Sequence, residues 1–323
     1  MPEKSQTPRV SVVIPCYNAS MYIGDTLKSV FSQTYHDFEV ILVNDGSPDS
    51  VALQEVIAPW MDRIVYLEIC NQGPSAARNT GILAAKGELV AFLDADDQWE
   101  PSYLEVQVRK LDENPSADIV YPGVTLFGDY AAGHPPLVSR GEVTFASVID
   151  ERCIVLYSVL ARRQALIRAG LFDPGVRAAE DFDLWLRCIK TGSRIIYHNE
   201  PIFRYRLHKG SLSSDPILMN SQAVKVLQKL RTSVEMTTDE RQVLEAALRK
   251  FEGLAFFWEA KRAFLAGDFA MAEDRLRTAN NVLPSIRTFL ILQLVRVIPR
   301  LARAFYVWNS SDRDPRETFH SAR

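Results

Sequence analysis

Glu88-Leu89-Val90-Ala91-Phe92-Leu93-Asp94-Ala95-Asp96-Asp97 is an apolar run of the length of one buried strand that stops abruptly in three carboxylates. Carboxylates crowded at a strand terminus repel one another. Hard oxygen ligands of this kind suit magnesium or manganese carrying an anionic substrate. The cluster is therefore the expected centre of the molecule's chemistry.

Working outward, Val10 to Ile14, Glu39 to Val43 and Ile64 to Glu68 are further short apolar or β-branched runs, and helical patterns separate most of them. The alternation predicts an α/β fold with a mostly parallel sheet flanked by helices. Ile23, Leu27, Val30 and Phe31 recur at helical spacing after Ser20, which reads as an N-cap; Ser75 to Ala85 and Pro101 to about Asn114 form two more candidate helices. The region from Asp118 to Leu160 is richer in Gly and Pro, and loops facing an acceptor are expected there. Glu180 opens a helix whose Phe182, Trp185, Leu186 and Ile189 make an apolar stripe, with Trp185 read as packing; strands follow at Arg194 to His198 and Ile202 to Leu207.

Beyond Asp215-Pro216, long helical patterns dominate, at Val243 to Leu265, Phe269 to Leu283 and Ile286 to Trp308. The expected division is a polar tail over 1–9, a catalytic domain over 10–214 and a helical appendage over 215–323. Residues 263–273 resemble one helix-turn-helix of the tetratricopeptide type, and one unit is not an array.

Composition narrows the class. The chain has 323 residues, 47% of them hydrophobic, enough for a sizeable core, and a formal charge of -3, which argues against a nucleic-acid partner. Cys16, Cys70, Cys153 and Cys188 are far apart, without metal-type spacing, and read as reduced core residues. The polar start has no apolar signal core, so a cytoplasmic location is expected.

Three polar clusters stand where the first strands end: Pro15-Cys16-Tyr17-Asn18, Asn44-Asp45-Gly46-Ser47 and Asp94-Ala95-Asp96-Asp97. In an open parallel sheet, loops leaving the carboxyl ends of strands gather on one edge, so the three can line one crevice. In order and spacing, these clusters resemble the inverting family 2 glycosyltransferases of the GT-A fold, of the bacterial cell-surface glycan type. The segment from Asn71 to Asn79, with Gly81, is similar to that family's internal motif, and the resemblance covers roughly Val10 to Ser214.

The resemblance implies a nucleotide-diphosphate sugar donor, a UDP-sugar being favoured, and a saccharide or lipid-linked acceptor in cell-surface polysaccharide synthesis. It assigns donor binding to Pro15, Tyr17, Asn18, Asp45, Arg78, Asp94, Ala95 and Asp96. Tyr17 would stack on the base, and Asp45 would accept a base N–H. Asp96 with Asp94 would hold Mn2+ or Mg2+, and His208 is a candidate third ligand. Glu180-Asp181 resembles the family's pair before a helix, in which the Asp position is the base and its neighbour positions it or binds acceptor. Plain helix capping also accounts for acids at that terminus. Two other classes are an inactive nucleotide-sugar-binding partner subunit and a nucleotidyltransferase; the latter lacks its Gly- and Arg-rich loop here.

Ile286 to Trp308 interleaves apolar residues with Arg287, Arg296, Arg300 and Arg303 and carries no acid. Such a segment suits an interfacial helix kinked at Pro299, at the inner face of the cell membrane, rather than a span. An internal packing helix or a homo-oligomer face has the same periodicity.

Overall fold

The computed structural model describes residues 7–131 and 135–310. The first six residues of the polar tail fall outside that range, as do the side chains of Phe305 and Trp308 in the expected interfacial helix. Contacts divide the chain into two compact units, Met1–Leu207 and His208–Arg323.

The first unit is built on β1 (Val10–Cys16), which is buried along its whole length. It pairs in parallel with β2 (Phe38–Asp45) on one side and β4 (Leu89–Phe92) on the other, with Val13 opposite both Ile41 and Phe92. β3 (Ile64–Ile69) extends the parallel run beyond β2, aligning Asp45 with Ile69. The β-branched and apolar side chains of β1 and β4, and of β2 from Val40 on, are buried on both faces, as a parallel sheet requires, whereas β3 at the edge is only partly covered. The far half is mixed. β8 (Leu160–Arg162) runs antiparallel to β4 and to β6 (Ile119–Tyr121), and β9 (Ile195–Tyr197) is parallel to β6, giving the order β3-β2-β1-β4-β8-β6-β9. A second sheet joins β5 (Gln98–Trp99), β10 (Phe203–Leu207) and β7 (Val124–Gly128), with β10 central. This is the mostly parallel, helix-flanked α/β sheet expected from the alternation of patterns.

Helix α1 (Ile23–Phe31) lays Ile23, Leu27 and Val30 into the core, and α3 (Pro74–Ala84) lies against β1. Gly81 permits that approach: a Cβ there would overlap Val13 Cγ1 and sit 3.0 Å from its Cγ2. Several local expectations are corrected. Ser20 does not cap α1; Tyr22 holds the cap position, and the Ser20 N–H donates to the Asp49 carboxylate at 2.9 Å. Helix α2 (Ser50–Ile57) was not foreseen, nor was α6 (Arg163–Arg168), which starts directly from β8. The region 118–160, whose short apolar runs mark strands only loosely, holds β6, β7 and the short helix α5 (Phe145–Ile149).

The second unit is helical, as expected: α8 (Pro216–Ser233), α9 (Thr238–Ala266), α10 (Phe269–Val282), α11 (Ile286–Val297) and α12 (Pro299–Ser310). Asp215 caps α8 by accepting the Ile217 and Leu218 N–H groups, with Pro216 at the first helical position. Thr237 and Glu240 form a reciprocal capping box on α9. Ala260, Ala263, Ala272, Leu276, Leu292 and Val295 form its core. The interruption expected at Pro299 within 286–308 is a full break: α11 ends at Val297, and Pro299, with no N–H to continue the ladder, starts α12. Among the described residues no helix is long and apolar enough to cross a membrane.

Candidate active site

The carboxyl ends of β1, β2, β3 and β4 share one edge, and the predicted clusters emerge there. After β4, the Asp97 N–H donates to the Asp94 carbonyl (3.1 Å), closing a turn. The Thr26 hydroxyl on α1 lies 2.8 Å from the carbonyl oxygens of both Ala95 and Asp97 and pins that turn from below. Ala95 is itself buried, and Pro15 is likewise buried at the end of β1.

The three carboxylates are not equivalent. Asp97 turns inward and is buried, accepting the Tyr157 hydroxyl and the Arg206 backbone N–H, the latter at 2.6 Å. Burial, then the charge of Asp96, pushes its carboxyl well above the usual range. Asp94 and Asp96 stay half-buried. The Arg206 Nε donates to the Asp96 carbonyl at 2.6 Å, and its guanidinium lies 4.4 Å from the Phe127 ring centre and 5.0 Å from that of Tyr22. Arg206 thus braces the acidic turn. Asp96 also faces the end of β1: with burial first and Asp49 second, its charge helps push the Cys16 thiol up to about 12.

Arg78 on α3 is only 1% exposed and spans two carboxylates, Nη2 to Asp94 Oδ1 and Nη1 to Glu180 Oε1, each at 2.6 Å. The rings of Tyr157 and Phe172 lie 5.0 and 5.4 Å from its guanidinium carbon. This fork ties the end of β4 to the start of α7 (Glu180–Lys190). Asn79 reinforces the tie from the next position, donating to the Phe172 carbonyl at 2.8 Å and accepting its N–H at 2.9 Å.

Asp94 and Asp181 titrate abnormally. Asp94 is pushed up to about 6, by burial against the opposing pull of Arg78 and with a further push from Asp96. Asp181 is pushed up to about 7 by burial and by the charge of Glu180, although its Oδ1 accepts the Phe182 N–H at 2.7 Å. Ala179, just before α7, holds a left-handed backbone with φ 63°, a costly conformation for a residue with a Cβ, at the point where the two acids are presented. Asp183 belongs elsewhere: it is fully buried against Arg187 (2.6 Å), which in turn donates to the Leu171 carbonyl. Trp185 packs edge-on against Phe172, a core residue as expected.

On the other side of the edge, Tyr17 is 52% exposed, a ring offered to solvent, and Asn18 beside it has φ 51° and donates its N–H to Ser47 Oγ at 2.8 Å. Asp45 is buried; its two oxygens accept the Gln72 and Gly73 N–H groups at 2.9 and 2.8 Å. It thus holds the loop after β3 against the end of β2. Gly46, at φ 61°, allows this closure, since a Cβ would meet the Asn71 nitrogen at 2.7 Å. His208 lies in the second unit, where its Nδ1 accepts the Gly210 N–H at 3.2 Å. Cys16, Cys153 and Cys188 are buried thiols; Cys70 is exposed, contrary to the core assignment.

Sequence reasoning did not find Thr26, Tyr157 or Phe172. Thr26 carries a weak signal, a hydroxyl on the apolar face of α1; nothing near Tyr157 or Phe172 marks them. Among the described residues no group of three or more His, Cys, Asp or Glu side chains makes a ready cation cage. Asp94 and Asp96 nonetheless fit a hard divalent ion. They are two crowded carboxylates at one turn, a donor set that Mg2+ or Mn2+ completes with substrate phosphate oxygens and water.

The model of the family described as Glycosyl transferase family 2 matches residues 11–147, the span that carries β1 to β7 and all three clusters. TuaG of Bacillus subtilis (strain 168), a glycosyltransferase named for teichuronic acid biosynthesis, is 31% identical over 214 residues, covering 64% of this chain and 82% of that protein. Two other curated relatives are longer, and the chain spans 30% and 31% of their length. Among solved structures, S. aureus TarS 1-349 in complex with UDP-GlcNAc superposes with a TM-score of 0.62 at 19% identity, over 94% of this chain and 91% of that one. The mannosyltransferase PcManGT from Pyrobaculum calidifontis, in complex with GDP-Man and Mn2+, gives 0.59 at 20% identity, over 97% and 90%. These two likenesses concern the fold. With the acidic turn, the paired acids of α7 and the matched span on one sheet edge, the chain belongs to glycosyltransferase family 2.

Proposed function

We propose that residues 10–214 form an inverting glycosyltransferase that moves a sugar from a nucleotide-diphosphate donor to a saccharide or lipid-linked acceptor in cell-surface glycan synthesis. The observation that carries this is the Arg78 fork, which joins Asp94 at the end of β4 to Glu180 beside Asp181. Donor-side and acceptor-side acids thereby belong to one electrostatic cluster. TuaG supports the glycan class, and the UDP-GlcNAc of TarS supports a UDP-sugar donor.

In this mechanism the acceptor oxygen attacks the anomeric carbon while the bond to the diphosphate oxygen breaks and the nucleoside diphosphate leaves with the electron pair. Asp181 takes the hydroxyl proton; its raised carboxyl matches a base working near neutral pH. One displacement without a covalent sugar intermediate inverts the anomeric centre. Glu180, held by Arg78, orients Asp181 and keeps its charge beside it. Tyr17 stacks on the base, worth on the order of 1–3 kcal/mol. Asn18 and Pro15 shape the floor beneath it, and Asp45 fixes the 71–73 loop as the base's other wall. Asp94 and Asp96, with the Ala95 backbone between them, would hold Mn2+ or Mg2+. When bound, the ion supplies positive charge to the departing diphosphate.

The test is a panel of nucleotide sugars offered with Mn2+ or with a chelator. Transfer or donor hydrolysis releasing a nucleoside diphosphate supports the proposal. Donor binding without any turnover would instead point to a binding subunit, and release of pyrophosphate to a nucleotidyltransferase.

A further inference from the structure

We propose that the outward face of α11, with the exposed arginines beside it, is a docking surface for an anionic lipid bilayer. Leu292 and Val295 turn into the core of the helical unit. Ile286, Leu290, Leu294 and Val297 fall on the opposite side, within one arc at about 100° per residue. All four are exposed, Ile286 and Val297 by 81% and 76%, and Phe289 widens the stripe at 49%. The face is thus apolar and open along the whole helix, while the same helix is anchored from behind.

Charge identifies the occupant. Arg287 flanks the stripe on one side and Arg296 on the other, and Arg300 and Arg303 follow at the start of α12. From Ile286 to Ser310 the sequence contains no Asp or Glu. Arg296 is bound to Glu273 at 2.8 Å, and Arg303 donates to the Leu265 carbonyl, whereas Arg287 and Arg300 are exposed. An apolar stripe rimmed by cations matches the boundary between acyl chains and anionic headgroups. A second copy of the chain is the poorer match, because a two-fold contact through this face would set basic rims against each other. At 12 residues, or about 18 Å, α11 lies along such a surface rather than through it. The inference rests on this helix alone and is independent of the transferase chemistry.

Co-sedimentation of the full chain with vesicles of phosphatidylcholine alone, and with about one-third phosphatidylglycerol, tests it. Binding to the anionic vesicles is expected, weakened by raising NaCl from about 0.1 to 0.5 M as screening shortens. Leu290→Glu with Leu294→Glu should lower that binding by about tenfold or more, and Arg287→Ala with Arg300→Ala by several-fold. Unchanged far-UV circular dichroism and melting of these variants exclude unfolding as the cause. Absence of binding by the unaltered chain, or equal binding to both vesicle types, would overturn the proposal. So would a stable dimer in light scattering that Leu290→Glu with Leu294→Glu dissociates while vesicle binding persists.

Discussion

Arg78 Nη1 lies 2.6 Å from Glu180 Oε1, between residues 102 positions apart, while Nη2 of the same guanidinium holds Asp94. A buried cation held by one buried and one half-buried acid is costly to dismantle singly, since whichever partners remain are left uncompensated. Sequence comparison by resemblance assigned Arg78 to the base or diphosphate. The structure makes it the internal counter-charge of the site.

Replacing Arg78 by Ala should therefore destabilise the chain by roughly 3–5 kcal/mol, with Arg78→Lys intermediate because an ammonium cannot span both carboxylates as a fork. Urea denaturation curves measure this. An Ala variant as stable as the unaltered protein would show that the bridge is not made in solution.

The contact of α3 with β1 gives a second prediction. Gly81→Ala should cost about 1–3 kcal/mol by overpacking against Val13, and adding Val13→Ala should recover part of that loss. Strict additivity of the two changes in thermal or urea unfolding would contradict the packing described.

Arg206 and Tyr157 brace the acidic turn from beneath, through the Asp96 carbonyl and the Asp97 carboxylate. Arg206→Ala should weaken Mn2+ binding about 10-fold or more by titration calorimetry, as loss of an outer support typically does, with the fold retained. Unaltered affinity would mean that the turn is held without it.

The sheet edge was legible because parallel strands are marked by short β-branched runs, and topology then gathers their carboxyl ends without further information. The helical unit was legible from its periods. What escaped depends on contacts far along the chain. Asp97 was set apart from Asp94 and Asp96 only by the resemblance, because its inward turn is decided by Tyr157 and Arg206, the latter 109 positions away. Arg78 could not be recognised as buried, because Tyr157 and Phe172 enclose it from other elements. α2 was missed since only Leu53 and Ile57 of its eight residues are buried, too few to set a period. The left-handed Ala179 left no trace in the sequence, where a glycine would have.

The most direct measurement is the pH dependence of sugar transfer by the unaltered chain and by Asp181→Asn, alongside donor affinity. Asp181 works only as a carboxylate, and its carboxyl sits at about 7. The rate constant kcat/KM should therefore fall about tenfold per unit as pH drops below about 7. In Asp181→Asn the donor should still bind within about twofold, transfer should drop by about 10²–10⁴-fold, and that pH limb should disappear. Near-normal transfer by Asp181→Asn with the limb intact would contradict the assignment of the base, and with it the convergence of donor and acceptor acids across Arg78.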